Sequence, residues 1–126
     1  MTEKNQVYKC NLCGNIVDIL HHADGSLICC GKEMELLVAQ TADPKTEKHV
    51  PVLIDEGLCL KIKIGSTPHP MTEEHHIEWI EILNGDYVNR KYLNPRDKAE
   101  AEFYLHKQPG LIMRSYCNIH GLWKAE

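Results

Sequence analysis

The sequence predicts a mainly β protein in two parts: a small metal-knuckle domain, then an antiparallel β-sandwich or barrel. Three observations predict it. Four of the six cysteines, Cys10, Cys13, Cys29 and Cys30, fall within residues 1–37. The composition shifts near residue 40, where a polar connection begins. From residue 49 onward, short β-patterned runs alternate with turn signals.

Residues 1–37 are too few to bury a self-sufficient core, since chains below about 40 residues usually need a metal or a disulfide. Residues 38–48 include Asp43-Pro44 among short polar side chains and read as a linker or long loop. Within 49–126, Leu58 to Ile64 ends in period-2 alternation, with Leu58, Leu60, Ile62 and Ile64 expected on one face. Ile77 to Leu83 is β-branched and aromatic on both faces, as expected of a central strand. Tyr87 to Leu93, Ala101 to Lys107 and Leu111 to Tyr116 are further strand candidates. Asp55-Glu56-Gly57, Asn84-Gly85-Asp86, Asn94-Pro95 and Pro109-Gly110 separate them as turns. The stretch from Pro95 to Glu102 reads as a charged loop rather than a helical turn. About seven short strands at this spacing suggest a sandwich or barrel.

Composition narrows the function. The formal net charge is −4, which leaves no basic footprint for nucleic acid. The apolar runs are far shorter than the ~20 residues of a membrane-spanning helix. Residues 1–6 lack the apolar stretch of a signal peptide, so a cytoplasmic protein with reduced cysteines is expected. Six cysteines and eight histidines then point to metal binding.

Cys10-Asn11-Leu12-Cys13 is a Cys-x-x-Cys knuckle followed by Gly14. Two intervening residues let a tight turn aim both sulfurs at one point. Asp24-Gly25 supplies a turn that can bring Cys29-Cys30 back to them. Four thiolates would enclose a tetrahedral Zn or Fe, and spacing alone does not choose between the two. Neighbouring side chains diverge in a regular strand, so Cys29 and Cys30 share an ion only if the backbone bends between them. Disulfides or free thiols are the plainer alternative. Cys59 reads as a small buried hydrophobe.

A second constellation is dispersed: His49, His69 between Pro68 and Pro70, His75, and the turn Cys117-Asn118-Ile119-His120. A Cys-x-x-His turn can present a thiolate and an imidazole to one ion, and loops at one end of a sandwich can meet. His21, His22, His76 and His106 read as non-ligands.

These strings carry a resemblance. Cys10-x-x-Cys13 with Cys29-Cys30 resembles the iron site of desulforedoxin. Glu47-Lys48-His49-Val50-Pro51, His69-Pro70-Met71, Ile77-Glu78-Trp79 and Cys117-Asn118-Ile119-His120-Gly121 resemble the desulfoferrodoxins, two-iron superoxide reductases. The resemblance spans essentially the whole chain, and departs at His76, where an aromatic such as tryptophan is expected. It implies a desulforedoxin-like four-cysteine iron domain over 1–37, a linker over 38–48, and an immunoglobulin-like catalytic iron domain over 49–126. It implies His49, His69, His75 and His120 as equatorial ligands of the second iron and Cys117 as the axial one. The implied activity is one-electron reduction of superoxide to hydrogen peroxide, as a defence against oxidative stress. Lys48 is expected to attract superoxide and order a proton-donating water, and Glu47 to close the resting site. Backbone N–H groups of Ile119 and His120 are expected to moderate the Cys117 sulfur. The resemblance also implies a homodimer and a rubredoxin-like electron donor. Rival readings are a non-catalytic metal-binding interaction module, an electron carrier using only the first iron, and a dismutase.

Overall fold

Glycine and proline turns cut the chain into strands of two to eight residues, none long enough for a deep core by itself. The computed structural model describes residues 1–42 and 48–126. It divides into two compact units, Met1–Val38 and Ala39–Glu126. Among the described residues there is no helix.

The first unit has five short strands: β1 (Val7–Lys9), β2 (Ile16–Asp18), β3 (Ile28–Cys29), β4 (Lys32–Glu33) and β5 (Glu35–Leu37). They form an antiparallel sheet ordered β2-β1-β5 and a β3–β4 hairpin. Its buried apolar side chains, among the described residues, are Val7, Cys10 and Ile19. So little buried apolar surface cannot offset the ordering entropy of the segment, and the cysteine cluster must supply the rest.

The second unit has seven strands: β6 (Pro51–Asp55), β7 (Leu60–Ile64), β8 (Ile77–Asn84), β9 (Tyr87–Tyr92), β10 (Glu100–Phe103), β11 (Ile112–Cys117) and β12 (Gly121–Ala125). They make two antiparallel sheets, ordered β10-β7-β6 and β12-β11-β8-β9. Leu60, Ile62 and Ile64 from one sheet, and Ile80, Ile82 and Met113 from the other, share one buried core. β8 lies between β11 and β9, which is why its sequence is apolar on both faces. A register shift falls where Cys117 pairs with Ile77 although Tyr116 pairs with Trp79. The alternation that turns Ile82 and Ile80 inward would next turn Glu78 inward; the extra residue substitutes Ile77. On the outer face Glu81 is 0% exposed, held by Arg114 and Arg90 at 3.2 Å each.

Several expectations need correction. Leu58 is 84% exposed rather than on the core face. The turn after Asp55 runs on to Cys59, closed by the Glu56 N–H donating to the Cys59 carbonyl at 3.0 Å, so the alternation begins only at Leu60. Cys59 is consequently half-exposed rather than in the core, its Sγ 3.5 Å from a Glu56 carboxylate oxygen. The strand expected to reach Lys107 stops at Phe103. Two strands escaped sequence reading. β6 opens on a proline, tolerated as the first residue of an edge strand, and β12 is mixed in polarity. Gln40 falls in the stretch read as a connection, yet it bridges Trp123 of β12. Its N–H donates to the Leu122 carbonyl at 2.9 Å.

Candidate metal centres

In the first unit the knuckle and the β3–β4 hairpin bring Cys10, Cys13, Cys29 and Cys30 together, their sulfurs all within 4.8 Å of one another. The Sγ atoms of Cys13 and Cys29 are 3.5 Å apart, and those of Cys29 and Cys30 3.9 Å. Sulfurs bound tetrahedrally at about 2.3 Å lie about 3.8 Å apart, so the spacing suits one ion. The adjacency of Cys29 and Cys30 is resolved by the backbone. Cys30 has a φ of 55°, in the left-handed region, which turns neighbouring side chains toward the same point. The Cys13 N–H donates to the Cys10 sulfur at 3.5 Å, and the Asn15 N–H to the Cys13 sulfur at 3.5 Å. Backbone N–H groups of Cys13 and Leu12 pull the Cys10 thiol down to about 6. Hydrogen bonds within the cluster, from Cys13 first, push Cys30 up to about 12. Four thiolates this close cannot all ionise without a cation among them.

The second constellation converges at one end of the sandwich, because antiparallel pairing puts the start of β6 beside the end of β7, and the end of β11 beside the starts of β8 and β12. His49 precedes β6, His69 and His75 lie between β7 and β8, Cys117 ends β11, and His120 sits in the turn before β12. Their five ligand atoms lie within 4.8 Å of one another. The imidazoles form a closed ring, each edge-on to the next. Centroid distances run 4.8 Å from His49 to His69, 4.8 Å from His69 to His75, 5.0 Å from His75 to His120, and 4.6 Å from His120 to His49. His49 Nε2 and His120 Nδ1 are 3.1 Å apart. Nitrogens at right angles about an ion, with bonds of about 2.1 Å, lie about 3.0 Å apart.

Tautomers are set by the surroundings. His69 Nδ1 lies 2.6 Å from the Pro70 carbonyl, which can only accept, so Nδ1 carries the proton. His69 Nε2 is then a bare lone pair, buried with no hydrogen-bond partner among the described residues; His75 Nε2 is likewise buried without one. Two orphaned buried nitrogens within ligand distance of a thiol fit a donor set for a metal ion. Burial pulls His69 down to about 4, and burial followed by the charges of His120 and His49 lowers His75. Both are held neutral and ready to ligate. Burial raises Cys117, opposed by the backbone N–H groups of His120 and Ile119; the His120 N–H lies 3.4 Å from the sulfur.

Lys48 is half-buried, and its charge contributes to the lowering of His75, so the ammonium lies within electrostatic reach of the ring. Glu47 lies outside the described residues. Among the described residues, His21, His22, His76 and His106 join no ligand group: His21 stacks on His22, His76 Nδ1 donates to the Thr72 carbonyl, and His106 Nδ1 to that of Gly57. A third group, Glu56, Cys59 and Glu102, already neutralises a cation, the Lys61 ammonium 3.7 Å from each carboxylate.

Sequence reasoning missed three supporting residues. The Trp123 ring stacks on His49 at 4.7 Å. The Gln40 side chain donates to the His120 carbonyl at 2.8 Å. Asn118 ties two loops together. Asn118 was visible within the Cys-x-x-His turn, but its partners are distant in sequence; nothing local marks Gln40 or Trp123.

A β-sandwich whose loops gather four imidazoles and a thiol, joined to a unit that gathers four thiols, defines a protein with two metal centres. The family model described as desulfoferrodoxin matches residues 41–126, and that of the desulfoferrodoxin N-terminal domain matches residues 2–37. The chain belongs to the desulfoferrodoxin family. It is 54% identical over 123 residues to a desulfoferrodoxin homolog from Methanothermobacter thermautotrophicus, covering 98% of this chain and 99% of that one. A protein from Thermococcus kodakarensis named superoxide reductase is 37% identical over 105 residues, 69% of this chain and 91% of that one. The structure is similar to the crystal structure of the superoxide reductase from Treponema pallidum, with a TM-score of 0.77 and 26% identity, covering 96% of this chain and 97% of that one.

Proposed function

We propose that this chain is a superoxide reductase, an oxidoreductase that converts superoxide, one electron and two protons into hydrogen peroxide. The observation that carries the reading is the closed ring of four imidazoles with the Cys117 thiol within ligand distance. Its ligands are His49, His69, His75 and Cys117 with His120, and a second iron is held by Cys10, Cys13, Cys29 and Cys30. A bound ferrous ion supplies the electron that superoxide gains, and a thiolate ligand makes that electron easier to release.

The protein controls the rest. Cys117 is 0% exposed and reaches the ring from the core side, whereas His120 is exposed and His75 half-buried. The exposed His120 edge of the ring would therefore be the side where a small anion and protons from water arrive at a metal held by these five residues. Lys48 attracts the anion and holds a water that donates a proton. Glu47 closes the resting site from the same segment. The His120 N–H at the sulfur restrains its donation.

The same proposal assigns residues 1–37 to the four-cysteine domain, 38–48 to the linker and 49–126 to the catalytic domain. The division into Met1–Val38 and Ala39–Glu126 supports a boundary near residue 38, and Gln40, near the start of the linker, is docked on the sandwich through Trp123. A homodimer belongs to the same reading, and Leu20, Ile28 and Val38 are exposed apolar side chains of the first unit that a second copy would have to cover. The free cysteines suit the reducing cytoplasm, where a rubredoxin-like protein would donate electrons in superoxide detoxification.

The test is metal analysis with pulse radiolysis of the reduced protein. Two irons per chain and one peroxide per superoxide, without oxygen evolution, are expected. Peroxide at half that yield, with oxygen, would indicate dismutation. A single metal and no reaction would indicate an interaction module.

A further inference from the structure

The geometry points to Asn118 as a positioning residue whose side-chain amide grips the backbone on both sides of His75 and so fixes that imidazole relative to Cys117. Asn118 Oδ1 accepts from the His76 N–H at 2.9 Å, and Asn118 Nδ2 donates to the Glu74 carbonyl at 2.9 Å. Residues 74 and 76 flank His75, so one planar amide holds both ends of the peptide that carries the ligand. Asn118 is itself bonded to Cys117, and its own N–H donates to the His76 carbonyl at 3.2 Å.

Without this brace His75 would be the least secured of the four imidazoles. His69 is clamped between prolines and donates to the Pro70 carbonyl; His49 is stacked on Trp123; His120 is held through its carbonyl by Gln40. His75 sits in a turn that is closed on itself, the His75 N–H donating to Thr72 Oγ1 at 3.1 Å and the Thr72 N–H to the His75 carbonyl at 2.9 Å. That turn keeps its own shape, but nothing within it sets its distance from the sulfur. The side chain of Asn118 does, adding two bonds to the single backbone bond from the Asn118 N–H to the His76 carbonyl. The chemistry requires asparagine: one acceptor and one donor in a single plane, at a reach that glutamine overshoots. Aspartate keeps the acceptor and sets a carboxylate against the Glu74 carbonyl.

This inference rests on the ligand assignment proposed above, and the experiment separates the two. Iron release from the full two-iron chain to bipyridine is followed anaerobically, with release from the four-cysteine centre as an internal reference. Asn118→Ala should speed release from the histidine-ligated centre about 10- to 100-fold, the usual cost of losing a group that orients a ligand. The same substitution in a His75→Ala background should change release less than about twofold, because the brace then has no ligand to hold. Asn118→Asp, which preserves shape, should fall between the parent and Asn118→Ala. Equal acceleration with and without His75 would mean a general loss of stability and overturn the inference. An Asn118→Asp protein indistinguishable from the parent would overturn the two-sided grip. If His75→Ala alone left release unchanged, the ligand assignment itself would fall, and the inference with it.

Discussion

Acidification of the metal-free protein should destabilise the sandwich through one imidazole. His69 is 5% exposed, and burial lowers it from 6.5 to about 4. In the unfolded chain it regains the ordinary value, so between pH 6.5 and 4 the unfolded state binds a proton that the native state refuses. The stabilising contribution is complete above pH 6.5, declines as pH falls, and levels off below about 4. The gap corresponds to about 3 kcal/mol, a large part of the stability of a small domain. Urea unfolding at pH 7.5, 6, 5 and 4 measures it. Both tryptophans, Trp79 and Trp123, belong to the second unit, so their fluorescence reports that unit. Carboxylates titrate over part of the same range, so the quantity to read is the difference between the parent and His69→Gln. The parent should lose about 3 kcal/mol more than the variant. A parallel pH dependence in the two proteins would refute the reasoning, because it would mean that native His69 takes up its proton as readily as the unfolded one.

Replacing Lys48 with isoleucine should lower the second-order rate with superoxide about tenfold and flatten its salt dependence, measured by pulse radiolysis at several ionic strengths. Cys13→Ser should unravel the first unit, seen as lost amide dispersion for residues 1–38, while the tryptophan signal of the second unit persists. Glu81→Ala leaves Arg114 buried beside an empty place and should cost about 3–5 kcal/mol in urea titrations, with the iron content unchanged.

The two centres differ in how far the sequence reveals them. Cys10-x-x-Cys13 and Cys29-Cys30 are local pairs, so their spacing already announces a tetrahedral site. The bend that the adjacent pair requires was legible too, and Cys30 supplies it with a positive φ. His49, His69, His75 and the Cys117–His120 turn span 72 positions, from 49 to 120, and no short-range pattern joins them. Family motifs named that set; strand pairing across the sheets brings it together. Leu58 misled because alternation counts residues without seeing where a turn ends. Gln40 looked like linker because a single bridge to Trp123 has no periodicity. Glu81 looked like an ordinary polar interruption of a central strand, since Arg90 and Arg114 become its neighbours only once β8 lies between β9 and β11.

The irregularity opposite Tyr116 and Cys117 has a consequence for insertions and deletions in this fold. One additional residue in the partner strand sets an isoleucine across from the sulfur and moves the neighbouring acid toward the rim. Removing Ile77 would undo that offset. It would swing Glu78 beneath the sulfur, add negative charge where hydrocarbon now lies, and drag the adjoining imidazole out of step. Length here is therefore as constrained as residue identity, and variants that differ by one residue in this stretch should fail at holding iron before they fail at folding.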